Sequence, residues 1–255
     1  MGGVHKHMIT KEELINIGKI KGLENKEYIE KSYFQDLFLF NLYRESNIFV
    51  FKGGTALYKI YNLQRFSEDL DFSLIGEKEE AKEIIKKVVD RIDGFSIKEI
   101  KEVKESILIK ISCRGLITKY NALRIDISLK NKIFLPIDVK NYVSDYLDIP
   151  PFSLKVLNPE EIVSEKIHSM LNRRKARDLY DLFFLLKQFK FNEKITKEKL
   201  KLFNQEYYFE VIRRRITELK NFWKPELDSF VLGELPDFEL VKNYVLKKLS
   251  KKLVV

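Results

Sequence analysis

Residues Phe51–Leu74 read FKGGTALYKIYNLQRFSEDLDFSL, and the fold turns on how they are read. A β-type run, Ile48–Phe51, ends at Lys52. Gly53-Gly54-Thr55 then turns the chain into a helix expected from Ala56 to about Leu63. Phe66–Leu74 alternates as a strand, with Ser67, Asp69, Asp71 and Ser73 on one face and Phe66, Leu70, Phe72 and Leu74 on the other. Two carboxylates on one face of an apolar strand repel each other and lose hydration. A divalent cation removes that cost, and Mg²⁺ commonly takes one or two carboxylates, several waters and phosphate oxygens. Solvated acids on an exposed edge strand are the plain alternative. The glycines let backbone approach a ligand closely, and the new helix offers unpaired N–H groups. Gly-Gly alone means only a tight turn.

Two more strands are expected further along the chain. Ser106–Cys113 puts Ile107, Ile109 and Ile111 on one face and Leu108, Lys110 and Ser112 on the other. Leu123–Lys130 puts Ile125, Ile127 and Leu129 on one face and Arg124, Asp126 and Ser128 on the other. In isolation Arg124 and Asp126 read as a surface pair. Beside Asp69 and Asp71, Asp126 becomes a candidate third carboxylate of a metal site. Between these runs, Glu77–Asp93 is a charged amphipathic helix ended by Gly94. Before them, Thr10 and Glu13 form a capping box for a first helix, and Asn25–Glu45 reads as a packing helix.

Pro136, Pro150 and Pro151 punctuate the stretch that follows, and a domain boundary is expected near Pro150. Asn158-Pro159-Glu160-Glu161 is a helix start: a cap, Pro at the first position, then acids. If Ile162–Gln188 is one helix, Lys166, Met170, Arg173, Arg177 and Asp181 share a face. That stripe can bind phosphates or simply be solvated. From Lys190 on, 15 Lys and Arg stand against 10 Asp and Glu, with Arg213-Arg214-Arg215, Trp223 and a closing Lys247–Lys252 run. Basic residues interleaved with Tyr207, Tyr208, Phe209 and Phe222 suit RNA, but the aromatics suit a helical core better.

The 255 residues carry 47 Lys and Arg against 38 Asp and Glu, a formal +9. That balance favours polyanionic partners without choosing one. Cys113 is the one cysteine, so an internal disulfide is excluded and a cytoplasmic setting is expected; one Cys with three His also argues against a classical zinc site. No apolar run is long enough for a bilayer, and MGGVHKHM lacks the core of a signal peptide. His5 and His7 carry no functional weight.

Together, Gly53-Gly54-Thr55-Ala56-Leu57 and Arg65-Phe66-Ser67-Glu68-Asp69-Leu70-Asp71-Phe72 resemble the first motif of AbiEii-type nucleotidyltransferase toxins, part of the DNA polymerase β-like superfamily. Glu165-Lys166 and Arg174-Lys175-Ala176-Arg177-Asp178-Leu179-Tyr180-Asp181-Leu182 resemble the family's later helical motif. The motifs run in order over roughly residues 25 to 190. Thr55 stands where the wider superfamily often has Ser, which keeps the hydroxyl.

The resemblance implies an α+β fold: a small mixed sheet with flanking helices, of the polymerase β-like type, followed by a C-terminal helical domain. Residues 1–150 would be the catalytic domain and 151–255 the helical domain completing the nucleotide site. Asp69, Asp71 and Asp126 would bind two Mg²⁺ ions, with Asp126 on the second metal or acting as base. Gly53, Gly54 and Thr55 would cradle the NTP phosphates. Lys166 would be the catalytic cation, and Arg65, Ser67, Arg177, Asp178 and Asp181 would serve the nucleotide pocket. The resemblance also implies a toxin with a cognate antitoxin and, as in some members, a nucleotide acceptor at the 3′ end of tRNA; the short apolar runs lead us to expect no membrane attachment. NMP transfer to a protein hydroxyl, a non-catalytic nucleotide- or RNA-binding module and a Mg²⁺ phosphohydrolase stay open as alternatives.

Overall fold

The computed structural model describes residues 9–103, 105–130 and 132–250. His5, His7 and the rest of MGGVHKHM lie outside the described residues, as do Lys251 and Lys252 of the closing basic run. The chain divides into two units. The first holds everything up to Val156 except Asn62–Arg65 and Lys132–Ile137, which belong with the chain from Leu157 onward in the second.

The first unit begins with α1 (Lys11–Ile20), whose Thr10–Glu13 capping box is present in both directions. Asn25 caps α2 (Lys26–Glu45) by accepting from Glu27 N–H. Strand β1 (Phe49–Lys52) runs into α3 (Gly53–Tyr61). That helix starts three residues before the expected Ala56, because Gly53 takes the turn at φ +73°. It ends two residues before Leu63, because Asn62 turns left-handed at φ 59°. There follow β2 (Leu70–Leu74), α4 (Lys78–Arg91), β3 (Phe95–Val103), β4 (Ser106–Arg114), β5 (Tyr120–Ser128), β6 (Asp138–Tyr142) and β7 (Phe152–Val156). β2 is shorter than the expected Phe66–Leu74. The carbonyls of Ser67 and Glu68 accept from Gln35 Nε2 at 2.9 Å each, so that stretch is bonded to α2 instead of to a strand.

The seven strands form one mixed sheet in the order β3-β4-β5-β2-β1-β7-β6. β2 is parallel to β5 and antiparallel to β1, which is parallel to β7. One face is apolar: Leu70, Phe72, Ile107, Ile109, Ile111, Leu123, Ile125 and Ile127 are all buried. α2 packs on β5 and on α4, and α4 packs on β3. Cys113 is buried on this face, and burial pushes its thiol up to about 12, which leaves it unreactive near neutrality.

The second unit is helical, as expected of the C-terminal part: α5 (Pro159–Asn172), α6 (Ala176–Gln188), α7 (Glu193–Lys201), α8 (Phe209–Glu218), α9 (Lys220–Leu227) and α10 (Phe238–Leu249). The hypothetical single helix Ile162–Gln188 is two helices. Arg173 leaves helical geometry at φ −142°, and α6 starts afresh at Ala176. Trp223 is core, 4% exposed, whereas Tyr208 and Phe222 are exposed. Among the described residues no helix is long and apolar enough to cross a membrane.

Candidate active site

In the first unit the acidic face is built by strand register. Asp71 on β2 has Lys52 of β1 as its Cα partner on one side and Asp126 of β5 on the other. Neighbouring strands lie about 4.8 Å apart, and register partners in a ladder share a face. Asp71 and Asp126 therefore project side by side, both partly exposed. Asp69 stands one residue before β2 and is also partly exposed.

The turn before α3 is shaped to this acid. A Cβ on Gly53 would lie 2.0 Å from Asp71 Oδ2, and Gly53 also has the left-handed φ that side chains disfavour. Gly54 and Thr55 are buried in the first turn of α3, where backbone N–H groups lack partners within the helix. The Thr55 hydroxyl donates to the Asp69 carbonyl, so it holds the acidic segment in place instead of facing a ligand. Lys31 reaches Glu68 at 2.9 Å and Tyr28 stacks on Phe66 at 4.7 Å, so α2 and α3 together fix residues 66–69. Ser67 is buried there, its carbonyl taken by Gln35. Gln35 and Lys31 had no place in a reading of α2 as packing alone. The available signal was Ser32, Gln35 and Asp36, polar residues amid Tyr33, Phe34 and Phe38, and all three are fully buried.

Gly53→Ala is expected to lower stability by about 1–2 kcal/mol, the cost of the left-handed backbone, and to displace Asp71. Thermal melting and nucleotide transfer from labelled NTP check this. An Ala variant that melts and works like the parent would contradict the Gly53–Asp71 packing.

Among the described residues no three His, Cys, Asp or Glu side chains gather as a ready-made metal cage. The Asp71–Asp126 pair suits a different kind of ion. Mg²⁺ is usually held by one or two carboxylates, with waters and substrate phosphates completing its shell. All the donors here are hard carboxylate oxygens, which also fits Mg²⁺ better than zinc.

In the second unit Lys166, Asp178, Asp181 and Arg65 form one buried network. Arg65 gives Asp181 two parallel hydrogen bonds, Nε to Oδ1 and Nη2 to Oδ2, each 2.7 Å. Lys166 Nζ lies 2.6 Å from Asp181 Oδ2 and 3.3 Å from Asp178 Oδ1. Arg173, more exposed, closes the far end with two bonds to Asp178 at 2.7 and 2.9 Å. Burial alone would lower the Lys166 ammonium, but the Asp181 and Asp178 charges outweigh it and hold it above the usual lysine value. Burial would likewise raise both carboxyls, yet Lys166 acting on Asp178, and Arg65 with Lys166 acting on Asp181, keep them below the usual range. Three cations face two acids, an excess of one positive charge.

Arg177 is not in this network. It bonds Glu226 at 3.0 Å and stacks over Phe230 at 4.9 Å. The break at Arg173 is why the stripe from Lys166 to Asp181 does not lie on a single helix.

Residues 37–242 match the family model described as nucleotidyl transferase AbiEii toxin, type IV TA system. No curated protein sequence matches the chain at a significant level. The fold is similar to that of MenT4, a nucleotidyltransferase toxin from Mycobacterium tuberculosis H37Rv, with a TM-score of 0.66 and 19% identity over 93% of this chain and 88% of that one. It is also similar to a Helicobacter pylori structure described as a nucleotidyltransferase, with a TM-score of 0.58 and 22% identity over 88% and 93%. JHP933 from Helicobacter pylori gives 0.53 and 21% over 94% and 91%.

Proposed function

The chain belongs to the AbiEii nucleotidyl transferase toxin family of type IV toxin–antitoxin systems, and on that premise we propose that it moves a nucleoside monophosphate from an NTP to the 3′ end of a tRNA in a Mg²⁺-dependent reaction. As a nucleotidyltransferase toxin it takes an NTP as substrate and an antitoxin as partner. The observation that carries the reading is the register pairing of Asp71 with Asp126, which sets two carboxylates abreast on one face of the sheet.

The acceptor hydroxyl oxygen forms a bond to the α-phosphorus as the bond from that phosphorus to the β-phosphate oxygen breaks. Pyrophosphate leaves. The hydroxyl proton passes to a base, and the Asp126 carboxylate is the group we assign to it. Asp69, Asp71 and Asp126 would hold the divalent ions, of which we propose two. When bound, such ions neutralise the phosphate oxygens as charge develops. The N–H groups of Gly53, Gly54 and Thr55 serve the phosphates. Lys166 carries the positive charge for the leaving pyrophosphate. Asp178, Asp181 and Arg65 set its position, and Ser67 positions the acidic segment through its carbonyl. Arg177 would serve the nucleotide. The reaction would take place in the cytoplasm.

The test is to incubate the purified protein with each α-phosphate-labelled NTP, a tRNA pool and total cell protein, with and without chelator. The expected result is label at RNA 3′ ends, lost with chelator and restored by Mg²⁺. Label in protein and none in RNA would sink the tRNA acceptor. NTP consumed with nothing labelled would point to a phosphohydrolase.

A further inference from the structure

The sheet continues beyond Asp126, and that part of its polar face has no role in the chemistry above. β4 and β5 pair without a bulge from Ser106↔Ser128 to Arg114↔Tyr120. Successive register pairs on the face that carries Asp126 are Leu108↔Asp126, Lys110↔Arg124, Ser112↔Ala122 and Arg114↔Tyr120. Leu108, Lys110, Arg114, Tyr120 and Arg124 are all exposed, Tyr120 at 68%. An open track therefore runs from the carboxylates to the end of the hairpin. Six steps along the strand at about 3.4 Å each make it about 20 Å long.

Its charge is the informative part. Lys110 and Arg124 lie directly opposite each other, and like charges at paired positions destabilise a sheet. Among the described residues neither makes an ion pair. The acid next to Lys110 on β3, Glu99, is bonded to Lys101 at 2.7 Å. At the far end Arg114 reaches Asp93 at 2.8 Å, an exposed pair worth little, and the Lys119 ammonium lies over the Tyr120 ring at 5.5 Å. Folding gains nothing from setting Lys110 against Arg124, whereas an anion shared between them turns the repulsion into binding. An exposed tyrosine further along, on the same face, offers a stacking platform. Cations for phosphate and an aromatic for a base are the elements of single-strand recognition.

We propose that this face of the β4–β5 hairpin seats the acceptor, and that the acceptor is a single-stranded polynucleotide whose phosphates lie on Lys110 and Arg124 and one of whose bases stacks on Tyr120. The track leads to Asp126, so its occupant would be held with its reactive end at the carboxylates. This deepens the transferase reading and rests on it only for the direction of the strand.

The test is binding of a short fluorescein-labelled single-stranded RNA to the full chain by anisotropy over a salt series, with NTP affinity measured separately. For Lys110→Ala/Arg124→Ala, RNA affinity should fall roughly tenfold or more, and the slope of log K against log salt should shrink by about 1.4, or about 0.7 per phosphate contact. NTP affinity and melting temperature should stay unchanged, since removing the pair relieves repulsion. Lys110→Arg/Arg124→Lys should restore the slope. Tyr120→Ala should weaken RNA about tenfold with no change in slope, as expected of lost stacking.

RNA bound equally well by the double Ala variant overturns the proposal. So does a loss of NTP affinity matching that of RNA, which would mean the pair grips a triphosphate. A parent protein that ignores RNA and labels protein overturns it as well. A parent that transfers nothing but binds RNA through Lys110 and Arg124 supports the surface and sinks the transferase reading, so the two fail separately.

Discussion

Asp126→Asn protein is expected to fold with undiminished stability and to transfer nucleotide on the order of a thousandfold more slowly, a barrier increase of about 4 kcal/mol. The two halves of that result have opposite origins. In the free protein Asp126 is partly exposed and faces Asp71 across the β2–β5 ladder. Like charges at paired positions cost a few tenths to about 1 kcal/mol, so neutralising one should leave stability unchanged or raise it slightly. Its other register partner is Leu108, which offers no charge to lose. Nothing in the fold therefore requires a carboxylate at this position.

The proposed chemistry requires it twice, to hold the divalent ion and to receive the proton of the attacking hydroxyl. An amide neither carries the charge nor accepts that proton. Melting curves and single-turnover transfer from labelled NTP check the pair of effects together. Transfer within tenfold of the parent would remove Asp126 from the machinery. A melting temperature several degrees lower would show that the carboxylate is structural after all.

The acidic face was largely legible in the sequence because strand alternation is a local rule. Period two places Asp71 and Ser73, or Arg124 and Asp126, on a face whatever the rest of the chain does. Register is not local. That Asp71 meets Asp126 depends on β5 lying between β2 and the β3–β4 hairpin, and no spacing between residues 71 and 126 announces it. The start of β2 is likewise set by a distant partner. Ser67 and Glu68 keep the alternation, but their carbonyls are taken by Gln35 from a helix more than thirty residues earlier.

The hydroxyl of Thr55 is another such case. A Gly-Gly-Thr turn suggests a ligand, and the hydroxyl is instead bonded to the Asp69 carbonyl. The helical motif was legible in composition and not in geometry. Lys166, Asp178 and Asp181 stand out as charged residues among apolar ones. Only the break at Arg173 brings α6 back against α5, so that Lys166 can sit between the two acids.

That network gives the largest expected effect on stability: Asp181→Asn should cost about 3–5 kcal/mol in urea unfolding. Asp181 is fully buried and is the shared partner of Arg65 and Lys166. The amide keeps the shape but leaves two buried cations with one buried carboxylate, and its NH₂ group points at donors. Arg65 cannot escape by losing its proton.

The pH dependence follows in sign. The Asp178 and Asp181 carboxyls are held below the ordinary 3.8, so their contribution is fully present above that value and is lost as pH falls through the folded value. The Lys166 ammonium is held above the ordinary 10.5, so its contribution is present below that value and is lost only as pH rises through the raised one. Between these limits the network's contribution is flat. The Asn variant should therefore be uniformly weaker across neutral pH and lose less than the parent in acid. If it stays within 1 kcal/mol of the parent at neutral pH, the network contributes little to stability.

A second variant separates charge imbalance from lost packing. Arg65→Met/Asp181→Leu removes one charge of each sign and leaves Lys166 and Arg173 with Asp178, so it should cost less than Asp181→Asn alone. If the double variant is the worse of the two, the planar Arg65–Asp181 contact matters for its shape, and the balance of charge around Lys166 does not explain the loss.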